Sequence, residues 1–393
     1  MRRFQWGIGV HGGAFSPAAS DQSPDMGIGG RTRYREKDCY LVRFSHRRDE
    51  KTDKLPEFVK GLAFLRKGVY NNIYTSQYRI RYCAFLTGYE PSGAGGRRCF
   101  HVVFAHQLGG VNVASDLHCH TKISDGSMGI EELIAIAKRR GLSAISVTDH
   151  DTTAAATRAV IIGRRQEVRV IHGVEFSTID KARGNEAHLL CYLCDTPDRL
   201  EGLCRRTGES RRQAAMAMVR KVMRYYPITP ELIVKCATGS TNIYKQHIMH
   251  ALMDAGYADS IYGELYQKLF SPETGSALVE PEYPDVKEVL ELIHSAGGIA
   301  VLAHPVPYRN EELLEELTGL GLDGVEVWHP DQSETDSARL AAFAAEHGLL
   351  TTGGSDFHGM YTPAARPLGS TAAPDECVEA LLAFKDKKKR KNA

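Results

Sequence analysis

No apolar run in this 393-residue chain approaches the ~18 residues a membrane-spanning helix needs. Neither sign of charge dominates: 49 Lys and Arg stand against 48 Asp and Glu, a net charge of +1. Nine cysteines are scattered without a disulfide framework. The close pair Cys191 and Cys194 lacks a second pair to complete a zinc site, so both are expected to pack as small apolar side chains. The basic start, Met1-Arg2-Arg3, is followed by glycines and His11 that interrupt any signal-peptide core. These absences argue against a membrane protein and a disulfide-stapled secreted domain, and the expected location is the cytoplasm. What is there is an ordinary globular composition, 42% hydrophobic and 25% charged, with a length that suggests roughly two to three domains.

The balanced charge conceals a split. Residues 1–114 carry 18 Lys and Arg against 9 Asp and Glu, residues 115–384 carry 25 against 38, and residues 385–393 carry 6 against 1. An acidic central region suits cation binding and is poor at gripping a long phosphate backbone. Residues 1–113 show Arg-rich patches and no sustained helical or strand period, with one helical fragment expected over Leu55–Arg66. They read as a poorly ordered basic arm, or as sequence ahead of a biological start at Val113, because Gly109-Gly110 can be encoded by a purine-rich ribosome-binding sequence before a GTG codon. The run Lys385–Lys391 reads as a solvated tail.

From Ser115 onward, short apolar runs alternate with amphipathic helices. Seven strands are expected at Ser115–His120, Ala144–Thr148, Arg169–Glu175, Ala187–Leu193, Ile299–Ala303, Gly324–Val327 and Leu350–Gly354. Helices at Glu131–Arg140 and Glu311–Leu317 carry apolar stripes between them. This alternation predicts an α/β fold with a parallel sheet closed into a barrel, whose chemistry lies at the strands' C-terminal ends. Between the fourth and fifth strands, residues 196–285 read as a helical insert, with helices at Ser210–Tyr225 and Ile243–Ala255, placed as a lid over the barrel mouth. The expected organisation is an extension over 1–113, a discontinuous barrel over 114–195 and 286–375, the insert over 196–285, and a C-terminal helix and tail over 376–393.

The stretch Ser115-Asp-Leu-His-Cys-His-Thr-Lys-Ile-Ser-Asp-Gly126 organises the rest. Side chains alternate along a strand, so His118 and His120 project to one face and Cys119 to the other. Two adjacent imidazoles can chelate one metal ion, and Asp125 adds a hard oxygen, a set that suits Mn, Fe or Zn. An isolated His-x-His pair is common, but this one has company at the other strand ends: His150, Glu175, His188, His304, Asp356 and His358. Six histidines, two aspartates and one glutamate at one barrel mouth are costly to bury unless ions pair them. Nine ligands are too many for one ion and suit two or three, with Glu175 bridging through its two oxygens and taking part in catalysis; such a cluster acidifies a bound water for phosphoester hydrolysis. Asp149 and Asp151, flanking His150, are expected behind the ligands, orienting imidazoles.

On these motifs the chain resembles the PHP (polymerase and histidinol phosphatase) family of metal-dependent phosphoesterases from about Ser115 to Gly369. It is nearest the branch of nucleoside 3',5'-bisphosphate phosphatases and 5'-to-3' exoribonucleases. The resemblance implies a distorted seven-stranded (β/α)7 TIM-like barrel with a helical insert domain and a trinuclear site of manganese, iron or zinc. It also implies His118, His120, Asp125, His150, Glu175, His188, His304, Asp356 and His358 as the ligands. Where the branch carries Gly-Arg-Pro-His for substrate phosphate, this chain has Tyr244-Lys245-Gln246-His247, replacing a bidentate Arg by the point charge of Lys. Lys245 reads as a phosphate contact or a solvated helix residue, and His247 as a substrate residue or a helix cap. Arg366 is a further anion contact, and His329, after the sixth strand, is expected to donate a proton to the leaving group.

The expected activity is hydrolysis of a phosphomonoester of a small nucleotide, a nucleoside 3',5'-bisphosphate or monophosphate, by metal-held hydroxide. Exonucleolytic attack on short RNA or DNA is the alternative. A non-catalytic metal- and nucleotide-binding module is the third reading, disfavoured because no ligand is missing. The expected partners are a small phosphorylated substrate or short oligonucleotides, without a membrane or an obligate protein partner.

Overall fold

The structure, a computed structural model, describes residues 114–362 and 366–392, together with the backbone of four strands nearer the N-terminus. The chain divides into two units, Met1–Val111 and Asn112–Ala393. In the first, β1 (Cys39–Arg47), β2 (Asn71–Thr75), β3 (Tyr78–Pro91) and β4 (Arg97–His106) form an antiparallel sheet in the order β1-β4-β3-β2. This corrects the reading that the stretch carries no strand period. Arg79 and Arg81 alternate with Ile80 and Tyr82, the period-2 pattern of a strand. The helical fragment expected over Leu55–Arg66 lies outside the described residues.

The second unit is built on eight strands, β5 (Ala114–Cys119), β6 (Ala144–Val147), β7 (Arg169–Asp180), β8 (Asn185–Tyr192), β9 (Ile299–Leu302), β10 (Gly324–Trp328), β11 (Leu350–Gly353) and the two-residue β12 (Ala373–Pro374). They form one sheet in the order β11-β10-β9-β8-β7-β6-β5-β12. The first seven are the seven expected strands, but the sheet is not wholly parallel. β8 runs antiparallel to both β7 and β9. Only residues 181–184 separate β7 from β8, ending on Gly184 at φ +75°. A parallel crossover needs a dozen or more residues, so this connection can only be a hairpin.

The outer layer follows from amphipathic helices between strands. α1 (Ile130–Arg140) buries Ile130, Leu133, Ile134 and Ala137 against β6 and α2 (Ala154–Gln166), and it ends on Gly141 in the left-handed region. After β8 comes the insert: α3 (Glu201–Met223), α4 (Pro230–Cys236), α5 (Lys245–Asp254) and α6 (Glu264–Phe270). Its own core joins Met218, Val222, Ile233, Ile248, Leu252, Phe270 and Tyr361. α3 begins nine residues before the expected Ser210, because Leu203 and Thr207 extend its buried stripe through Gly208. α7 (Val286–Ser295), α8 (Glu311–Gly319) and α9 (Glu334–His347) then cover β7 to β10.

The antiparallel β8 decides where the insert is rooted. β8 ends at the barrel's base, where the backbone N–H groups of Asp195 and Thr196 donate to the carbonyl of Ala296 (both 3.1 Å). The insert returns at the mouth, where Asp285 bridges Ile179 near the end of β7. The C-terminal α10 (Asp375–Asn392) docks at the base, with Cys377, Val378 and Leu381 on the core. The lysine run is thus only partly solvated: Lys387, Lys389 and Arg390 are exposed, but two lysines dock. Lys385 is buried against Asp195 and the carbonyl of Gly297, and Lys388 donates to the carbonyl of Gly298 (3.0 Å), because the acidic base of the barrel offers these acceptors.

The seam between β11 and β5 is closed by one buried carboxylate. Asp116 Oδ1 accepts from the Ser355 backbone N–H (2.9 Å), and its Oδ2 accepts from Ser355 Oγ (2.5 Å) and the Gly369 N–H (2.7 Å). Gly354 permits this approach, since a Cβ there would lie 2.4 Å from the His118 nitrogen. Asp116→Ala strands several buried donors at once and is expected to lower stability by about 3–5 kcal/mol, read from the midpoint of urea unfolding at unchanged slope.

Candidate metal centre

Each expected ligand arrives from a strand end or the loop after it. β5 places His118 and His120 on one face, both fully buried, while Cys119 packs into the core with Leu133 and Ile145. The loop carrying Asp125 is shaped by Asp149, whose Oδ1 accepts from the Thr121 N–H (2.7 Å) and Ser124 Oγ (2.6 Å) and whose Oδ2 accepts from Thr121 Oγ1 (2.7 Å). Gly126 must follow, because a Cβ there would sit 2.5 Å from the carbonyl oxygen of His120. β8 contributes His188 from its early half, since that end of an antiparallel strand faces the mouth.

All nine ligands expected from the sequence converge. His120, Asp125, His150 and His358 form one group; His118, His120 and Asp356 a second; His118, Glu175 and His304 a third; His150, Glu175 and His188 a fourth. Glu175 is the hub. Its Oε2 lies 3.1 Å from His118 Nε2, 3.1 Å from His120 Nε2 and 3.4 Å from His150 Nδ1, and its Oε1 lies 2.8 Å from His188 Nδ1 and 3.1 Å from His304 Nε2. Neither ring nitrogen of His120 makes a hydrogen bond, nor does His150 Nδ1, although these atoms are buried. Buried polar atoms left unpartnered are costly, and imidazole nitrogens grouped with carboxylate oxygens are the donor set of a divalent ion such as Mn, Fe or Zn, so these residues fit a metal cluster.

A second layer aims the ligands. Glu326, fully buried in the apolar β10, has Oε1 3.0 Å from His118 Nδ1, and its Oε2 accepts from the His304 N–H (2.9 Å). It holds the proton on Nδ1 and leaves His118 Nε2 free for a metal. His358 Nδ1 pairs with the carbonyl of Asp356 (2.9 Å), turning its Nε2 towards Asp125 (3.2 Å). Glu326 was not singled out in the sequence, and the signal was a carboxylate in the middle of Gly324-Val-Glu-Val-Trp328. The expectation that Asp149 and Asp151 orient imidazoles is corrected. Asp149 fixes the Asp125 loop, and Asp151 accepts from the Ser177 N–H (3.0 Å) and Arg211 Nη2 (2.7 Å). Both carboxylates are engaged by these donors instead.

The electrostatics follow from this crowding. Burial disfavours charge on Glu175, but His150, His118 and His188 outweigh it and hold the carboxyl well below its usual range. Burial also opposes protonation of His120, yet Asp356 and Glu175 bring it up to about 10, and Glu175 with Glu186 does the same for His188. At His150 burial prevails and the imidazole falls to about 3.

Beside the ligands lies a cavity of about 190 Å³. Asp125, His150, Glu186 and His188 line its metal side, and Arg211, Tyr244, Lys245, Gln246, Tyr283 and Tyr308 its other walls. Lys245 lies 3.7 Å from Glu280. Gln246 Nε2 donates to Asp125 Oδ2 (3.3 Å), tying the insert to a metal ligand. Arg211 is buried between Tyr244 and Tyr283, bound to Asp151 and to Ser177 Oγ (2.8 Å), with its Nε unpartnered. Its place inside an amphipathic stripe disguised it as a surface charge. His247 does not line the cavity: its Nδ1 accepts the Tyr244 N–H (3.1 Å) and caps α5, and burial lowers it to about 4. Arg366 pairs with Asp331 and stands 3.9 Å from Asp356 Oδ2. His329 Nδ1 accepts the Asp331 N–H (3.1 Å), which leaves the proton on a buried, unpartnered Nε2, 3.5 Å from Asp356 Oδ2.

The model of the PHP domain matches residues 116–300. A phosphoribosyl 1,2-cyclic phosphate 1,2-diphosphodiesterase of Eggerthella lenta is 37% identical over 248 residues, 63% of this chain and 94% of that protein. The chain belongs to the PHP family. Another PHP relative is the 5'-3' exoribonuclease Rnm of Escherichia coli, 31% identical over 255 residues, 63% of this chain and 85% of the relative. A Bifidobacterium adolescentis protein described as a metal-dependent phosphoesterase superposes with a TM-score of 0.63 at 29% identity, covering 68% of this chain and 95% of that one. Phosphoester hydrolysis is the chemistry these PHP relatives share, and this chain is a hydrolase of that kind.

Metal ions take neutral imidazoles, so ions entering this site must displace protons that His120 and His188 hold at neutral pH. Both values are raised, so affinity is expected to climb as pH rises from 6.5 towards 10. Loading the metal-free chain at pH 7 is expected to release at least two protons, because, against burial, the carboxylates of Glu326 and Glu175 hold His118 well above its usual value as well, counted by calorimetry in buffers of different ionisation enthalpy. Glu326→Gln is expected to weaken metal affinity by about 10–100-fold in the same titration.

Proposed function

We propose that this PHP chain hydrolyses a phosphomonoester of a small nucleotide at two or three divalent ions held by the nine ligands, with a nucleoside 3',5'-bisphosphate as the substrate class best supported. The observation that carries this is the cavity: metal ligands form one wall, and Arg211 and Lys245 another. At about 190 Å³ it is smaller than the roughly 300–1,000 Å³ of drug-sized ligand sites, so it receives the phosphorylated ribose of such a substrate, with the base left outside, rather than a length of nucleic-acid strand. A substrate with two phosphates on one ribose can place one at the cluster and the other on the two cations. The Eggerthella lenta relative supports this reading, since phosphoribosyl 1,2-cyclic phosphate also names two phosphate groups on one ribose.

Ions bound here supply positive charge and an acidified water, the chemistry phosphoester hydrolysis requires. The chain's residues do the rest. Glu175 shares its two oxygens across the ligand groups. Glu326 and the Asp356 carbonyl keep His118 and His358 in the tautomers that present Nε2. Arg211 holds the second phosphate, freed to do so by an unpartnered Nε and aimed by Asp151 and Ser177. His329 carries its proton on Nε2, beside Asp356, and delivers it to the leaving oxygen.

Exonucleolytic attack on RNA is the second reading, supported by the Escherichia coli relative. The groove that continues from the cavity sets Arg205 and Arg206 against Glu209, Glu280 and Glu282, which gives a strand no basic track. Phosphate release from a nucleoside 3',5'-bisphosphate, a nucleoside monophosphate, a phosphoribosyl cyclic phosphate, histidinol phosphate and a 5'-phosphorylated oligonucleotide separates the readings. Two-phosphate substrates are expected to be preferred, with turnover abolished in His120→Ala. Arg211→Ala is expected to raise KM for them by about 10–100-fold, as loss of a charged hydrogen bond does, with little change for the monophosphate. Cleavage of the oligonucleotide alone would overturn the proposal.

A further inference from the structure

Away from the barrel mouth, the insert gathers a second set of ligating side chains. Cys236 ends α4, and His250 and Asp254 stand one turn apart on the same face of α5. Their ligating atoms all lie within 4.8 Å of one another. Cys236 Sγ is 3.9 Å from Asp254 Oδ2, and His250 Nε2 is 3.7 Å from Asp254 Oδ1. Around a tetrahedral zinc, with bonds of about 2.0–2.3 Å, such edges are about 3.3–3.5 Å, so these two edges, made by the two oxygens of Asp254, are a few tenths of an ångström long, and the third, between Cys236 and His250, is at most 4.8 Å.

The histidine is already aimed. His250 Nδ1 lies 2.8 Å from the Tyr361 hydroxyl. With the Nδ1 proton given to that oxygen, the Nε2 lone pair faces Cys236 and Asp254, the arrangement by which an outer partner sets a ligand's tautomer. Tyr361 is itself held, its carbonyl accepting from the Tyr262 hydroxyl (2.9 Å) and its ring packed in the insert core. The three ligands are partly exposed, with His250 26% and Asp254 41% accessible, so an ion can reach them and water can complete its shell.

We propose that Cys236, His250 and Asp254 bind one zinc ion, independent of the catalytic cluster. A thiolate, an imidazole and one carboxylate form a set that zinc takes and that magnesium and calcium, which need oxygen ligands, do not. Its position gives it a purpose. α4 and α5 belong to the insert, whereas Tyr361 ends the barrel segment that carries Asp356 and His358. The ion cross-links two insert helices and, through His250 and Tyr361, fixes the insert against the segment bearing two catalytic ligands.

The ligands at the barrel mouth are nitrogen and oxygen only, so a thiolate-to-metal signal reports the second site alone. The full chain, freed of metal and titrated with cobalt(II), is expected to show a thiolate-to-cobalt charge-transfer band in the near ultraviolet. That band is expected to persist in His120→Ala and Cys194→Ser, to vanish in Cys236→Ser, and to survive in Tyr361→Phe with about 10–100-fold weaker cobalt affinity. Far-ultraviolet circular dichroism checks that Cys236→Ser remains folded, as a change at a partly exposed helix end should. No band in the folded wild-type chain, or an unchanged band in Cys236→Ser, overturns the proposal and leaves the catalytic reading untouched.

Discussion

Five imidazoles press on one buried carboxylate. Glu175 is 1% exposed, and His118, His120, His150, His188 and His304 all approach it within 3.4 Å. Such a group cannot be buried cheaply, because each charged or unpartnered member costs several kcal/mol unless its neighbours or ions compensate. The sheet bends to this constraint. Strands five to eleven each bring a ligand or an aiming group to one end, and the single reversed strand does so from its opposite terminus.

Most of the site could be read from the sequence because its chemistry is written in residue types that rarely cluster by accident. His118-x-His120, Asp149-His150, Glu175, Leu302-Ala-His304-Pro and Asp356-Phe-His358 sit at strand ends, where a periodicity argument can place them. Residues whose job depends on what faces them were not legible in the same way. Glu326 reads as an odd carboxylate in an apolar strand until His118 is seen 3.0 Å away. Arg211 lies in a helix dense with arginines, and nothing local separates it from Arg212, which is exposed and paired with Glu209. Asp149 and Asp151 flank a ligand in sequence, yet their carboxylates turn to a loop and to the insert, since backbone N–H groups and Arg211 reach them first.

The fold shows the same division. Strand positions followed from apolar runs, but strand direction is decided by the length of a connection, and four residues between β7 and β8 determine it. The lysine run at the C-terminus reads as solvated by composition. The docking of Lys385 and Lys388 depends on acceptors far away in sequence, Asp195 and Gly297 lying 190 and 88 residues from Lys385 and Gly298 lying 90 from Lys388.

The insert leaves the barrel at its base and rejoins it at the mouth. A flap swings when its two hinges lie side by side, and these lie at opposite ends of the barrel. The 23-residue α3, about 34 Å long at 1.5 Å per residue, is therefore a strut spanning the barrel's height, with Arg211 braced part-way along it against Asp151 and Ser177. On the insert's side, the cavity beside the metal ligands is walled by Tyr244, Lys245 and Tyr283, so the strut that fixes the insert also fixes the shape a substrate meets.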